Sequence, residues 1–189
     1  EAIEREEILP IRIQTIDIAD YKILVNKDKP PVDGNLKEAD FDRDTTSVSM
    51  AIKESFNKHE EELYKNSVNP EKIAPKLLVT LGGLGMLKSV RTSPEMKALM
   101  DARVHIFSIS TDDRYWHNGV EYNGYDYKEM FIKDIRLLKD TDKAVILHID
   151  MLGEGLDVSG ITAVMTFSAG ESLARFIQLV GRAMRLHDL

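Results

Sequence analysis

Residues 76–81 (KLLVTL) and 144–150 (AVILHID) decide the fold, because each is a short and almost continuous apolar run. Residues 104–110 (VHIFSIS) and 162–167 (TAVMTF) form two further runs of the same kind. Such runs are typical of strands that are covered on both faces. Longer segments with helical spacing separate them, as in βαβ units. The sequence therefore predicts an α/β fold in which a parallel β-sheet is flanked by helices.

Two helices are predicted between these strands. Ser93 directly precedes Pro94, so a capping hydroxyl stands before a proline suited to the first helical position, and the helix should run to about Ala102. A second helix is predicted over residues 126–139. Its apolar stripe consists of Tyr127, Phe131, Ile135 and Leu138.

The first 75 residues differ in character from the rest. Residues 8–18 alternate like a strand, residues 27–35 form a loop rich in Pro, Gly and Asp, and residues 45–68 have the pattern of a helix. The inward positions of that helix would be Val48, Ile52, Phe56 and Leu63. We interpret residues 1–75 as a connecting or appended α+β segment and residues 76–189 as the main domain.

The composition excludes several classes of protein. A hydrophobic content of 43% in 189 residues is enough for a folded core. The chain has no cysteine, which excludes disulfide frameworks, thiolate zinc sites and cysteine nucleophiles. No stretch approaches the roughly 18 consecutive apolar residues that a membrane span needs. We therefore expect a soluble, cytoplasmic protein that does not bind membranes.

The net charge of −7 taken alone argues against a nucleic-acid-binding protein, which normally carries a basic surface. The charge is unevenly distributed. Residues 1–75 have a net charge of −6, whereas residues 76–189 have a net charge of −1. A nearly neutral domain can still hold a phosphate backbone through amides and a few cations, so the charge does not exclude nucleic acid.

The last helix-like stretch, residues 170–187 (GESLARFIQLVGRAMRLH), contains the strongest chemical signal. At about 100° per residue, Gln178, Arg182 and Arg185 share one helix face. The opposite face consists of Leu173, Ile177, Val180 and Met184. Arginine is always charged and offers a planar fork of donors that matches phosphate oxygens. From the residues alone, a solvated basic helix face remains the alternative.

Residues 151–157 (MLGEGLD) and 178–185 (QLVGRAMR) resemble the last two signature motifs of superfamily 2 helicases. Within that superfamily, these two motifs most resemble those of the motor subunits of type I and type III restriction enzymes and related DEAD/DEAH-type helicases. Residues 1–13 are similar to a segment that follows the last motif of their first lobe, except that Arg5, Glu6 and Glu7 stand where a glycine is usual. The positions that fit the two motifs are Met151, Leu152, Gly155, Asp157, Gln178, Gly181, Arg182 and Arg185.

The resemblance implies a second RecA-like lobe of an ATP-dependent DNA helicase or translocase, with RNA as the less favoured substrate. ATP and Mg2+ would be bound mainly by an N-terminal RecA-like lobe of the same polypeptide, which is missing here, so the chain alone should be inactive. Restriction-modification subunits are implied as further partners. The rival interpretation is a non-catalytic interaction module derived from such a lobe.

The resemblance also implies roles for particular residues. Arg185 would act as the arginine finger, Arg182 would reach the γ-phosphate and Gln178 would position the site. The nucleotide cleft would be lined by Glu154, Gly155, Asp157 and Gly181. The nucleic-acid strand would be held by backbone at Leu81, Gly82, Gly83, Met151, Leu152 and Gly153.

Several other patterns have simpler interpretations. Residues 80–89 (TLGGLGMLKS) are similar to a phosphate-binding loop, but Leu87 stands where that motif needs glycine. Asp112, Asp113 and Asp150 follow strands and could mimic magnesium ligands, although the chain has no phosphate loop for them to serve. Glu95 and Lys97 match half of a nuclease signature. However, Glu95 would lie in the first turn of the predicted helix, where the helix dipole stabilises an acidic residue.

Three further interpretations concern aromatic residues, histidines and a dinucleotide-binding motif. Residues 116–127 (WHNGVEYNGYDY) could stack nucleobases, but a surface hairpin is the favoured interpretation. The five histidines show no H-x-H or H-x-x-x-H spacing, so no metal site is expected. A dinucleotide-binding enzyme is disfavoured because no G-x-G-x-x-G follows a strand.

Overall fold

The computed structural model describes residues 36–66, 73–149 and 160–167, with side chains from residue 45 onward. The elements in chain order are helix α1 (Leu36–Asn66), strand β1 (Lys76–Thr80), helices α2 (Leu84–Arg91) and α3 (Pro94–Asp101), strands β2 (Val104–Ser110), β3 (Arg114–His117) and β4 (Val120–Tyr122), helix α4 (Tyr127–Leu137), and strands β5 (Lys143–His148) and β6 (Ala163–Thr166). None of the described helices combines the length and apolar character needed to cross a membrane.

The six described strands form one sheet in the order β4-β3-β2-β5-β1-β6. β1 pairs in parallel with β5 and β6, and β2 pairs in parallel with β5. All four predicted strands are present, and β1, β2 and β5 are almost completely buried, as their continuous apolar runs indicate. The predicted α/β fold with a parallel, helix-flanked sheet is therefore confirmed.

Helices cover both faces of the sheet. On one face, buried residues of α1, α2 and α3 join one side of β1, β2 and β5 in a continuous apolar core. On the other face, Phe131 and Ile135 of α4 pack against Phe107 and Tyr115. The predicted stripe of this second helix is thus the one that contacts the sheet. The helix occupies Tyr127–Leu137, slightly less than the predicted range.

The predicted cap before Pro94 is observed. The Ser93 hydroxyl accepts a hydrogen bond from the backbone N–H of Met96 at 3.3 Å, and Pro94 occupies the first turn of α3. The helix ends at Asp101, with Ala102 as its C-cap. Glu95 lies in the first turn, where its negative charge interacts favourably with the positive end of the helix dipole.

Helix α1 packs directly on the sheet. It begins at Leu36 rather than at residue 45, and its predicted inward residues Ile52 and Phe56 are buried in the same core as β1. The His59 Nε2 atom lies 2.7 Å from the Thr162 hydroxyl beside β6, and this hydrogen bond ties the helix to the sheet. The division of the chain at residue 75 remains a prediction, but α1 is packed as part of the lobe.

The sheet is extended by an antiparallel hairpin, β3 and β4, beside β2. Asn118 and Gly119 connect its strands with φ angles of 46° and 94°, the left-handed backbone that a tight two-residue hairpin turn requires. The favoured hairpin interpretation is confirmed. Trp116 is only 5% exposed and is not available to stack a base, whereas Tyr125 is 99% exposed.

Candidate nucleic-acid interface

The candidate interface is the sheet edge at which the parallel strands end. In open α/β sheets, ligands bind in crevices beyond the carboxyl ends of the strands. Here β1, β2, β5 and β6 all run towards the same edge. The segments that leave it are residues 81–83 after β1, residues 111–113 after β2, Ile149 after β5 and Phe167 after β6.

The residues after β1 lie between those after β5 and β6. Thr80 is opposite His148 in the parallel register, and the Thr80 hydroxyl is 2.8 Å from His148 Nε2 in a buried hydrogen bond. The Leu81 N–H donates to the His148 carbonyl at 2.9 Å, and the Phe167 N–H donates to the Thr80 carbonyl at 2.9 Å. The structure therefore brings the predicted nucleic-acid segment at residues 81–83 next to the chain that follows β5.

The three residues of this segment differ in what they can offer. Leu81 is buried and its amide is already used in the sheet. Gly82 is exposed and Gly83 is half-buried. Gly83 is the N-cap of α2, and a Cβ built on it meets no atom of the described residues within 4 Å. A ligand could approach the backbone closely at Gly82 and Gly83, but not at the Leu81 side chain.

The N-terminus of α2 provides the electrostatics of this segment. Its first amides have no partner within the helix, and the helix dipole makes this end positive. Gly83 has no side chain that could cap these amides, and the first turn contains no acidic residue. The combination suits an anionic group such as a backbone phosphate. It does not form a phosphate-binding loop of the ATPase type, because Leu87 is buried in the core.

The opposite end of α2 is fixed by a buried arginine. Arg91 forms an ion pair with Asp113, donates to the Ser108 hydroxyl at 3.2 Å and lies 3.5 Å from a carboxylate oxygen of Glu121. Its guanidinium carbon lies 5.3 Å from the ring centroid of Trp116. These contacts join α2 to the turn after β2 and to the hairpin. Sequence reasoning missed this arginine, because its partners are distant in sequence.

The carboxylate of Asp113 is therefore occupied by cations. It pairs with Arg91 and also with Lys88, whose Nζ is 3.3 Å away. This arrangement gives Asp113 a structural role in place of the magnesium-ligand role that its position after a strand could mimic. Asp112 is exposed, and Asp150 lies outside the described residues.

A second group of polar residues lies on the hairpin side of the sheet. His105 Nδ1 and His117 Nε2 are 3.1 Å apart, and the His117 ring stacks on Phe107 at 4.2 Å. Burial, followed by the neighbouring His105, lowers the pKa of His117. Burial and a hydrogen bond to the Asp134 carboxylate raise the pKa of Tyr115. Within residues 36–66, 73–149 and 160–167, no three His, Cys, Asp or Glu residues are grouped as a metal site.

The other predicted site residues lie outside the described residues. These are Gln178, Arg182 and Arg185 of the proposed finger helix, Glu154, Gly155, Asp157 and Gly181 of the nucleotide cleft, and Met151, Leu152 and Gly153 of the nucleic-acid track. Their roles stay predictions. The structure shows that β5 ends at His148 beside Leu81, the point from which the predicted track would continue.

Comparison with known families agrees with this architecture. A mostly parallel, six-stranded sheet flanked by helices is consistent with a RecA-like lobe. Residues 101–187 match the family described as the helicase conserved C-terminal domain. The match runs from the end of α3 through β6 and includes both motif stretches, residues 151–157 and 178–185. It supports a helicase C-terminal lobe, in a family whose full-length members are helicases and ATPases.

The match is to the helicase C-terminal domain in general and does not indicate a particular subfamily of helicases. No characterised protein and no solved structure matches the chain.

Proposed function

We propose that this chain provides the second RecA-like lobe of an ATP-dependent DNA helicase or translocase. The observation that carries the proposal is the helicase family match over residues 101–187, on a sheet in which β1 and β5 end side by side. In this function the lobe shares an ATP site with an N-terminal RecA-like lobe of the same polypeptide. Its motifs resemble those of type I and type III restriction motors, and restriction-modification subunits are its proposed partners.

In this proposal, ATP and Mg2+ are held mainly by the first lobe. The 189 residues contain no G-x-x-x-x-G-K-[ST], and in the similar stretch, residues 80–89, the buried Leu87 stands where the motif needs glycine. The donors that suit a nucleotide in this chain are the side chains of Gln178, Arg182 and Arg185. Bound Mg2+ would neutralise charge on the phosphates. Arg185 stabilises charge that develops on the transferred phosphoryl group, because a guanidinium stays protonated and matches phosphate oxygens.

Arg182 contacts the γ-phosphate and Gln178 positions these groups. The cleft residues are Glu154, Gly155, Asp157 and Gly181. Glycine at positions 155 and 181 leaves room for close approach of the nucleotide.

The nucleic-acid strand follows the carboxyl edge of the sheet. The exposed Gly82 backbone, the half-buried Gly83 backbone and the positive end of α2 receive phosphates there. Residues 151–153, which follow β5, continue this track. Backbone amides do not need a basic surface, which agrees with the low net charge of residues 76–189. The choice of DNA over RNA rests on the resemblance to restriction motors.

The test is ATP hydrolysis by the motor that contains both lobes, measured with single-stranded DNA present. Arg185→Ala should lower the rate by about 10³–10⁵, the usual contribution of an arginine finger. Arg136→Ala is the matched control, since Arg136 is an exposed arginine of α4 that is given no role in the ATP site. A wild-type rate in Arg185→Ala removes the finger role. If the two-lobed protein binds DNA but never hydrolyses ATP, the interaction module is the better interpretation.

An ATP site shared between two lobes leads to a second expectation, which concerns this chain alone. It should show no ATP hydrolysis above background, with or without DNA, because the phosphate-binding loop and the magnesium-binding carboxylates belong to the other lobe. DNA-stimulated hydrolysis by the purified chain would contradict a shared site.

A further inference from the structure

An exposed aromatic ring lies beside a cation at the hairpin end of the sheet. Tyr125 is 99% exposed, and the guanidinium carbon of Arg114 lies 5.8 Å from the centroid of its ring. Arg114 has a φ angle of 61°, a left-handed backbone that a non-glycine residue rarely adopts. Strained backbone of this kind is concentrated at functional positions.

Both residues lie at the same edge as the proposed nucleic-acid track. Arg114 begins β3 and is opposite Ser110, the last residue of β2. Tyr122 ends β4 and is opposite Tyr115, so the turn that carries Tyr125 also leaves the sheet at this edge. β4 is four strands away from β1 in the sheet order. With about 4.8 Å between strands, β4, which precedes Tyr125, is roughly 19 Å from β1, which precedes Gly82 and Gly83.

This separation suits one continuous strand of nucleic acid. A stacked strand rises about 3.4 Å per nucleotide, so about six nucleotides cover the distance between the two segments. A strand held at Gly82 and Gly83 and lying across β5 and β2 would therefore reach the hairpin with its next few bases.

The base of the hairpin is held rigidly. Trp116 of β3 lies under the Arg91 guanidinium, and Glu121 of β4 faces the same arginine. The Tyr115 hydroxyl donates to Asp134 at 2.7 Å, and the Tyr115 and Tyr122 rings stack at 5.0 Å. Because these contacts fix both strands, the turn presents Tyr125 from an ordered support, which reduces the entropy that binding must remove.

Two of the acidic side chains near the hairpin are compensated by cations. The Asp113 carboxylate is compensated by Lys88 and Arg91, and Glu121 is also within 3.5 Å of Arg91. Arg114 places a permanent cation beside the open ring. A cation and an aromatic face together form the pair of groups that binds phosphate and base in single-strand sites.

We propose that Tyr125 is a stacking site for a nucleobase of single-stranded DNA and that Arg114 contacts the adjoining phosphate. The proposal rests on the function proposed above and extends its track to the hairpin. It assigns the strand a second point of contact on this lobe, away from the ATP site. Duplex DNA does not use this site, since its bases are already stacked within the helix.

The experiment measures binding of the 189-residue chain to a fluorescein-labelled 15-nucleotide dT strand by anisotropy at low salt. Tyr125→Ala should weaken binding roughly 5- to 150-fold, because stacking of one base contributes about 1–3 kcal/mol. Tyr125→Phe should bind like the wild type. Val120→Ala is the matched control, because Val120 is a 54% exposed apolar residue at the opposite end of the hairpin. Binding to a 15-base-pair duplex should be the same for all variants.

A second readout reports contact directly. In Tyr125→Trp the new indole is exposed, whereas the natural Trp116 is buried, so added dT strand should quench mainly the new fluorescence. Equal binding of the dT strand by Tyr125→Ala and wild type, or equal loss on duplex and single strand, overturns the stacking site alone. If the wild type does not bind the dT strand, the stacking site and the track are both overturned. The Arg185 experiment on ATP hydrolysis is independent of all three results.

Discussion

Arg91 of α2 and Asp113 of the turn after β2 form an ion pair in which the arginine side chain is 6% exposed and the aspartate side chain is 15% exposed. The guanidinium also contacts Ser108 and Trp116, so it joins a helix to three successive parts of the sheet. Its Nε atom has no hydrogen-bond partner among the described residues. A buried cation with an incomplete set of partners depends strongly on the ones that it has.

Arg91→Ala should therefore destabilise the lobe by about 3 kcal/mol or more, since removing one member of a buried ion pair leaves the other uncompensated. Urea unfolding of the purified chain measures this change. Arg91→Lys should recover little of it, because lysine lacks the planar fork that reaches Asp113 and Ser108 together. Lys97→Ala, at an exposed position of α3, is the control and should change stability by less than about 0.5 kcal/mol. A similar small change for Arg91→Ala would show that the pair is not important for folding.

Helix α1 should be required for folding of the lobe. Phe56 is 1% exposed and packs in the same core as Leu77 and Leu87. Phe56→Ala should cost about 3–5 kcal/mol, the usual range for a buried phenylalanine, whereas the exposed Glu61→Ala should be nearly neutral. The corresponding deletion is a chain of residues 76–189, which should show no cooperative thermal transition. A cooperative transition with an unchanged midpoint would mean that residues 1–75 are only an appended segment.

The strands were predictable because their signal is local. Four almost continuous runs of apolar residues give four parallel strands, and the Ser93–Pro94 pair gives the start of α3. The beginning of α1 was not predictable in this way. Residues 36–44 (LKEADFDRD) are mostly charged and have no continuous apolar stripe, so the pattern predicts the helix only from residue 45.

The candidate interface was predictable in part. The segment at residues 81–83 was found from its place after a strand, and the sheet register puts it beside β5. The sequence also contains a local signal for the hairpin, because Asn118-Gly119 between aromatic residues is typical of a two-residue turn. The Arg91–Asp113 pair and the His105–His117 contact have no such signal. The first depends on the packing of α2 against the sheet and the second on the pairing of β2 with β3, and both bring together residues that no fixed spacing connects.

The stability of the lobe should fall as the pH is lowered below about 6.5, the ordinary histidine value. Burial lowers the pKa of His59 and of His117, and His105 lowers that of His117 further. The unfolded chain therefore binds more protons than the folded lobe between its histidine pKa and the lower folded pKa values. The free energy of unfolding should rise with pH in this window, by at most about 1.4 kcal/mol per pH unit for each histidine.

Urea unfolding of the wild type, His59→Gln and His117→Gln at pH 5.5 and 8 tests this sign. Each variant should reduce the difference between the two pH values, because it removes one group that the folded state keeps neutral. A wild-type lobe that is equally stable at both pH values, or more stable at pH 5.5, would contradict the lowered pKa values as the cause.

Gly83 offers a way to separate binding from folding at the proposed track. Its φ of −168° is extended backbone that any residue adopts, and a Cβ there meets no atom of the described residues within 4 Å. Gly83→Ala should therefore change the unfolding free energy by less than about 0.5 kcal/mol. If a phosphate lies against this backbone, the added methyl group stands in its place, and affinity for a single strand should fall several-fold, with a larger loss in Gly83→Val.

The control for this variant is Gly119→Ala at the hairpin turn. Gly119 has a φ of 94°, so alanine there is strained and should cost about 1 kcal/mol or more of stability. Gly119 lies at the opposite edge of the sheet. The affinity of Gly119→Ala for single-stranded DNA should therefore be unchanged at temperatures where the variant is folded. The two glycines thus give opposite expectations for urea unfolding and for anisotropy titration. Unchanged strand affinity in Gly83→Val would mean that the strand does not approach the N-terminus of α2, and the track would have to be placed elsewhere.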